Sequence, residues 1–208
     1  MVIIKYNRKM KKIVLQLIIC GLLTSMFSSC NLAGLDLQKD FEYEYSPVEL
    51  KLDMTAYQFI ESRKNMDMSI LYDAINLAGY KEAFETADRT YIILNDIAFT
   101  AYLKDKRYAG VQSMSTAELK KLLDGNIVKG HYLSLDLTTT PVKVETLNPG
   151  STMYLSLRSQ KNDIQNKYEV RINEVVNSAN IVSVVTSNLQ PTNGVMHVVD
   201  AYPEYRLK

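Results

Sequence analysis

The apolar residues change period part way along the chain, and that change decides the fold class. Up to about residue 125 they recur at helical spacing. Met54 to Arg63 is expected to be a helix with Asp53 as its N-cap. Ser69 to Ala78 is a second, because Ile70, Leu71, Ala74 and Leu77 fall on one face and Gly79 follows as a terminator. Thr90 to Leu94 is a short β-rich run that predicts a buried strand, with a helix over Ala98 to Leu103 after it. The strongest helix start is Ser115-Thr-Ala-Glu118, where the serine hydroxyl can accept from the Glu118 amide while the glutamate reaches back to the Ser115 amide. Leu119, Leu122 and Leu123 should then face inward, with Gly125 as the stop.

From Ile127 onward the runs are short and alternate with period two or stay continuously apolar. Tyr132–Leu137, Val142–Leu147, Met153–Leu157, Tyr168–Ile172 and Ile181–Thr186 are therefore expected to be strands. Asn148-Pro-Gly150 and Asn193-Gly194 are turn signals, and Gly194 is expected at positive φ, directly ahead of a strand. Helices first and strands later predict an α+β domain, its helices packed on a mostly antiparallel sheet or wedge. Internal repeats and low-complexity tracts are absent.

The N-terminus reads as an address. Lys5, Arg8, Lys9, Lys11 and Lys12 precede an apolar run from Ile13 to Leu23 with no acidic residue among them, the layout of a secretory signal. That run is about half the roughly 20 residues needed to cross a bilayer, so a permanent membrane span is not expected. Met10-Lys11-Lys12-Ile13 would itself make an ordinary signal start, which leaves Met1 and Met10 as alternative beginnings. Phe27-Ser28-Ser29-Cys30 resembles a bacterial lipobox, in which a cysteine thiol takes a diacylglyceryl group before cleavage. Residues 1–29 are accordingly expected to be a lipoprotein signal peptide, and residues 30–51 a tether carrying lipid, acyl chains such as palmitate, on Cys30. The resemblance implies a Gram-negative outer membrane, at the cell surface or on its periplasmic face.

Cys20 falls in the signal, so the remaining chain has one cysteine and no disulfide. Its stability must come from a hydrophobic core. Removing the five signal-region cations takes the basic residues from 24 to 19 against 23 acidic, a net charge near −4, which gives no reason to expect nucleic acid as a partner. The acidic and aromatic segment Asp40-Phe-Glu-Tyr-Glu-Tyr45 resembles the surface-export signals of some lipoproteins and reads equally as a solvated linker.

Two boxes carry a more specific likeness. Thr90-Tyr-Ile-Ile-Leu-Asn-Asp-Ile-Ala-Phe99 is similar to the strand-then-helix motif of fasciclin-like domains, and Thr192-Asn-Gly-Val-Met-His-Val-Val-Asp200 is close to the second motif of the same family. Leu119 to Gly130 resembles the stretch between them. The likeness spans about residues 52 to 205 and implies one fasciclin-like domain over 52–208. It assigns a structural role to Asp96, Phe99, Asn193, Gly194, His197 and Asp200, with Asp96 and His197 helping to join the boxes. Leu94 replaces the family's usual proline. Asp124-Gly125-Asn126 replaces its hydrophobic-Tyr-His element, so receptor adhesion by that element is not expected here.

Chemistry is hard to find in this chain. His131 and His197 are the only histidines, and neither has the spacing of a metal pair, so no metal or cofactor is expected. His197 and Asp200 lie three apart in a strand and so point to opposite faces, which argues against a dyad and for a buried, hydrogen-bonded ring near Asp96. Glycoside hydrolysis needs two facing carboxylates in a cleft, whereas Asp163, Glu169 and Glu174 are scattered among turn and strand residues. Gly-x-Ser-x-Gly and Walker-type loops are absent. The fourteen tyrosines can form an exposed binding platform or be half-buried with their hydroxyls at the rim.

The expectation is a non-catalytic, lipid-anchored cell-envelope module for adhesion or binding. It would engage a protein or glycan, and other outer-membrane proteins could be among its partners. An alternative of another class is an accessory lipoprotein subunit of an outer-membrane uptake complex for glycan or peptide. A remote third is a glycan-active enzyme.

Overall fold

A computed structural model describes residues 50–161 and 166–204. The export signal, Cys30 and the tether as far as residue 49 lie outside the described residues, as does Asp163. Val48–Lys208 forms one compact unit.

Four helices precede most of the sheet. The first, α1 (Ala56–Ser62), starts two residues later than expected. Its cap is Thr55, whose hydroxyl accepts from the Gln58 amide at 3.2 Å while the Gln58 side chain accepts from the Thr55 amide at 2.8 Å. Thr55-Ala-Tyr-Gln58 is a capping box like that at Ser115, and a reciprocal cap satisfies two amides where Asp53 would satisfy one. The second helix, α2 (Ser69–Leu77), ends as expected, with Gly79 at φ +58°. The third, α3 (Asp96–Asp105), is longer at both ends than Ala98–Leu103, because Asn95 caps it through the Ala98 amide at 3.0 Å. The fourth, α4 (Thr116–Gly125), begins at the expected Ser115 box but continues through Gly125, with Asn126 as its C-cap. Leu119 and Leu123 are buried, and Leu122 is half-buried.

The strands are β1 (Leu50–Lys51), β2 (Arg89–Leu94), β3 (Ile127–Lys129), β4 (Val142–Val144), β5 (Met153–Lys161), β6 (Asn166–Ile172), β7 (Val182–Gln190) and β8 (Gly194–Val199). They form one sheet in the order β3-β2-β8-β7-β6-β5-β4, with β1 pairing on β7. Pairing is antiparallel except for β1 with β7 and β2 with β8. Beyond β4 the chain pairs back onto β3. The Lys129 amide donates to Glu145 O at 2.8 Å and the Leu147 amide to Ile127 O at 2.9 Å, so the two ends of the strand order meet. Closing the order in this way leaves few unpaired edges. The α+β expectation, helices on a mostly antiparallel sheet, holds.

The interior centres on β2 and β8, which pair in parallel over six residues from Arg89–Gly194 to Leu94–Val199. Tyr91 to Leu94 and all of β8 are buried, on both faces of the sheet, as a continuous apolar run predicts for a strand covered on each side. Phe99, Ile60, Ile75 and Leu119 from the helices and Met153, Leu155 and Ile172 from the far strands complete the core.

Tyr132–Leu137 is not a strand; it holds a short 3₁₀ turn at Ser134–Asp136. Side chains take the place of a neighbouring strand there. The Tyr132 amide donates to Thr90 Oγ1 at 2.9 Å, the Ser134 amide to Asn188 Oδ1 at 2.8 Å, and Tyr132 O meets a ring nitrogen of His197. With those backbone groups satisfied, no ladder is needed.

Gly194 also departs from expectation. It does not adopt positive φ; Gly79 and Gly130 are the glycines that do. Its need is spatial, since a Cβ at this position would sit 2.2 Å from the Arg89 carbonyl oxygen and 3.2 Å from the Tyr91 ring. β8 approaches β2 too closely for any side chain here. Gly194→Ala should therefore lower stability by about 1 to 3 kcal/mol, the usual cost of overpacking, read as a fall in the thermal midpoint. An unchanged midpoint would contradict the close approach.

Candidate functional site

The two family boxes become one structure, by a route the sequence did not reveal. Their backbones are joined directly by the β2–β8 ladder, and the Asn95 amide donates to Val199 O at 3.1 Å beyond its end. Asp96 and His197 do not meet; each ties its own box to a third element.

Asp96 reaches α2. Met68, the N-cap residue of that helix, makes no side-chain cap, and the Asp96 carboxylate replaces it by accepting from Ser69 Oγ at 2.8 Å and from the Ile70 amide at 2.9 Å. A carboxylate at a helix N-terminus is also favoured by the helix dipole. Adjacent residues thus cap two helices, Asn95 its own and Asp96 its neighbour's.

His197 is fully buried. The Asn188 amide lies 3.4 Å from its Nδ1, and its Nε2 is 2.8 Å from Tyr132 O. An amide can only donate, so Nδ1 is the acceptor and the proton sits on Nε2, directed at the carbonyl. Asn188 is the left-handed residue, φ +63°, in an irregular stretch of β7, and its side chain also holds Ser134. Burial drives the His197 pKa down to about 4, opposed by the bond to Tyr132. The ring is a neutral structural link, not a base poised near neutral pH.

Asn193, the first residue of the turn signal, is a hub. Its Oδ1 accepts from the Ala56 amide at 2.9 Å, at the start of α1. Its Nδ2 lies 2.9 Å from Phe84 O, 3.2 Å from Thr86 O and 2.8 Å from the Tyr91 hydroxyl. Phe99 is wholly buried. Asp200 is exposed just past β8 and takes no part in these links.

Among the described residues, three tyrosines of the helical half follow the rim pattern. Tyr57, Tyr72 and Tyr80 pack with their hydroxyls on Asn76, Glu61 and Asp124, the last at 2.5 Å. Burial and the Asp124 carboxylate together push the Tyr80 hydroxyl up to about 12.

One group of tyrosines instead borders open space. A cleft of about 330 Å³ lies between α3, α4 and the segment after β8. Phe99, Tyr102 and Tyr202 run from the core to its wall as successive edge-to-face rings, with centroids 6.2 and 5.4 Å apart. The Tyr202 hydroxyl donates to Asp105 at 2.7 Å, and the Tyr108 hydroxyl to Glu118 at 2.6 Å. Lys106 pairs with Glu204 at 2.8 Å. Gly125, Asn126, Asn148 and Ser151 supply the remaining side. Two of these, Gly125 and Asn126, belong to the stretch that departs from the Tyr-His pattern. No local sequence signal marks the cleft, because its residues come from four separate segments.

Hydrogen bonds from Tyr108 and from the Ser115 amide and hydroxyl hold the Glu118 carboxyl down at about 2. Among the described residues no group of three or more His, Cys, Asp or Glu side chains could hold a metal ion.

These features define an α+β domain built on two sequence boxes fused into one buried parallel strand pair. The Fasciclin domain family matches residues 66–202, well over half of the chain's 208 residues, and the chain belongs to that family. Fasciclin domains are generally adhesion or binding modules. Among solved structures it is similar to a FAS1 domain pair from the insect cell adhesion molecule fasciclin I, at 15% identity and a TM-score of 0.42. That alignment covers 71% of this chain and 45% of the insect chain, so this chain spans less than half the length of that relative. A comparison with curated proteins returned no match.

The histidine geometry has a consequence for pH dependence. The folded pKa of about 4 lies below the ordinary value of 6.5, so between these values the unfolded chain takes up a proton that the folded one refuses. The His197 contribution is complete above about pH 6.5 and is lost as the pH falls towards 4. His197→Gln should flatten this part of a stability-versus-pH curve. His197→Ala should cost about 1 to 3 kcal/mol by leaving the Asn188 amide and Tyr132 carbonyl unpaired. His131→Ala, at an exposed position, should do little. Chemical denaturation across pH checks all three.

Proposed function

We propose that this protein is a non-catalytic binding or adhesion module of the cell envelope. Lipid on Cys30 holds it in the outer membrane, and the fasciclin domain engages a protein or glycan. Family membership over residues 66–202 carries the reading. The lipobox-like Phe27-Ser28-Ser29-Cys30, placed at the end of a signal-like apolar run, supports the anchor.

The state of the cleft agrees with binding. Both oxygens of the Glu118 carboxylate already accept hydrogen bonds, from the Tyr108 hydroxyl and from the Ser115 amide and hydroxyl. Glu204 is held by Lys106. Groups already satisfied by one another suit recognition, since a ligand meets them preorganised.

Cys30→Ser should abolish incorporation of a fatty-acid probe and move the protein out of the membrane fraction, because only the thiol accepts the lipid. Persistent labelling with membrane retention would falsify the anchor. Pull-down of the intact lipoprotein from its own outer membrane tests binding, and recovery of no protein or glycan partner would count against the module.

A further inference from the structure

We propose that the cleft between α3, α4 and the segment after β8 is a binding site for a neutral glycan. This rests on the binding-module reading and assigns it a place and a ligand class.

Size and shape come first. At about 330 Å³ the cleft falls within the range of roughly 300 to 1,000 Å³ usual for small-ligand sites. A short run of sugar rings, entered from the open side, suits a depression of this kind. A flat protein surface does not.

The lining then selects the chemistry. A pyranose ring offers an apolar face of C–H bonds and an edge of hydroxyls that both donate and accept. The Tyr102 and Tyr202 rings supply apolar area, braced from the core through Phe99 and fixed by the bond from Tyr202 to Asp105. Two-torsion aromatic side chains held in this way lose little entropy on binding. Around them stand carboxylate, amide and hydroxyl groups with lone pairs and protons to share, from Glu118, Asn126, Asn148 and Ser151.

Charge points to a neutral ligand. The cleft carries Lys106 and Lys121 against Glu118 and Glu204, an even balance. Lys106 and Glu204 already pair, and Glu118 already accepts from Tyr108 and Ser115. An ionic ligand would upset this balance, and one seated on Lys106, Glu204 or Glu118 would have to break these contacts, whereas hydroxyls can join them.

A peptide or protein partner fits less well. Protein interfaces centre on desolvated apolar anchors. The exposed large hydrophobic side chains among the described residues, Met66, Ile97 and Val176 foremost, all lie outside the cleft.

Gly125 provides a clean test. It lies in the last turn of α4, and a Cβ there would meet nothing closer than Ser151 Oγ at 3.5 Å, an ordinary contact. Larger residues also have better helix propensity than glycine. Gly125→Phe should therefore fold while filling the cleft, and Tyr202→Ala should remove one wall.

The full-length lipoprotein in detergent would be titrated calorimetrically with tetrasaccharides of glucose, mannose, xylose and N-acetylglucosamine. Tetragalacturonate serves as the acidic comparison, and a displayed library of random 12-residue peptides as the third arm. The expected result is saturable binding of at least one neutral tetrasaccharide. Each variant should weaken it by about tenfold or more, equivalent to about 1.4 kcal/mol, with the unfolding midpoint of Gly125→Phe held. Should Tyr202→Ala unfold, Gly125→Phe decides alone. Binding of tetragalacturonate only, of peptides only, or of a neutral sugar with unchanged affinity for Gly125→Phe would each overturn the proposal. So would no sugar binding at all, and the pull-down from native membranes would then still judge the wider reading separately.

Discussion

The parallel ladder between β2 and β8 is the contact on which the rest of the molecule depends. It joins residues about a hundred positions apart, so every element between them must fold as a closed excursion that returns β8 to β2. Loop closure over such a length is paid in chain entropy, and the burial of two fully apolar strands on both faces is what offsets it. The close approach at Gly194 belongs to the same constraint. Only a residue without a side chain lets β8 enter the sheet against the Arg89 carbonyl.

Around this ladder the polar side chains of the two boxes act as links to third elements. Asp96 completes α2, Asn193 gathers the start of α1 with the Phe84–Thr86 turn and Tyr91, and His197 anchors the Tyr132 segment through an irregular stretch of β7. Each works because a buried backbone group without a strand or helix partner must find a side chain. Asp96, Asn193 and His197 are thus placed by hydrogen-bond geometry. Their role does not require contact with a ligand.

The cleft lies away from the His197 cluster, and its wall is supported from the core through Phe99, a box residue, and then by Tyr102 and Tyr202. A rigid scaffold carrying a variable rim is how loops and helix ends acquire specificity without loss of the fold.

Local signals in the sequence determined the fold class, the Ser115 box, the end of α2 at Gly79 and most strands, because periodicity and capping act over a few residues. The Thr55-Ala-Tyr-Gln58 box and the Asn95 cap are legible by the same rules. The burial of His197 was legible too, since its flanks are apolar on both sides. Its partners were not. The pairing of His197 with Tyr132 and Asn188, the use of Asp96 as another helix's cap, the spatial need for Gly194 and the loss of a strand at Tyr132–Leu137 all depend on which distant backbone groups arrive unsatisfied. The cleft, assembled from residues 102 to 108, 118 to 126, 148 to 151 and 202 to 204, likewise exists only once the ladder has closed. Sequence periodicity carries no information about such meetings, because they are set by the packing of the whole chain.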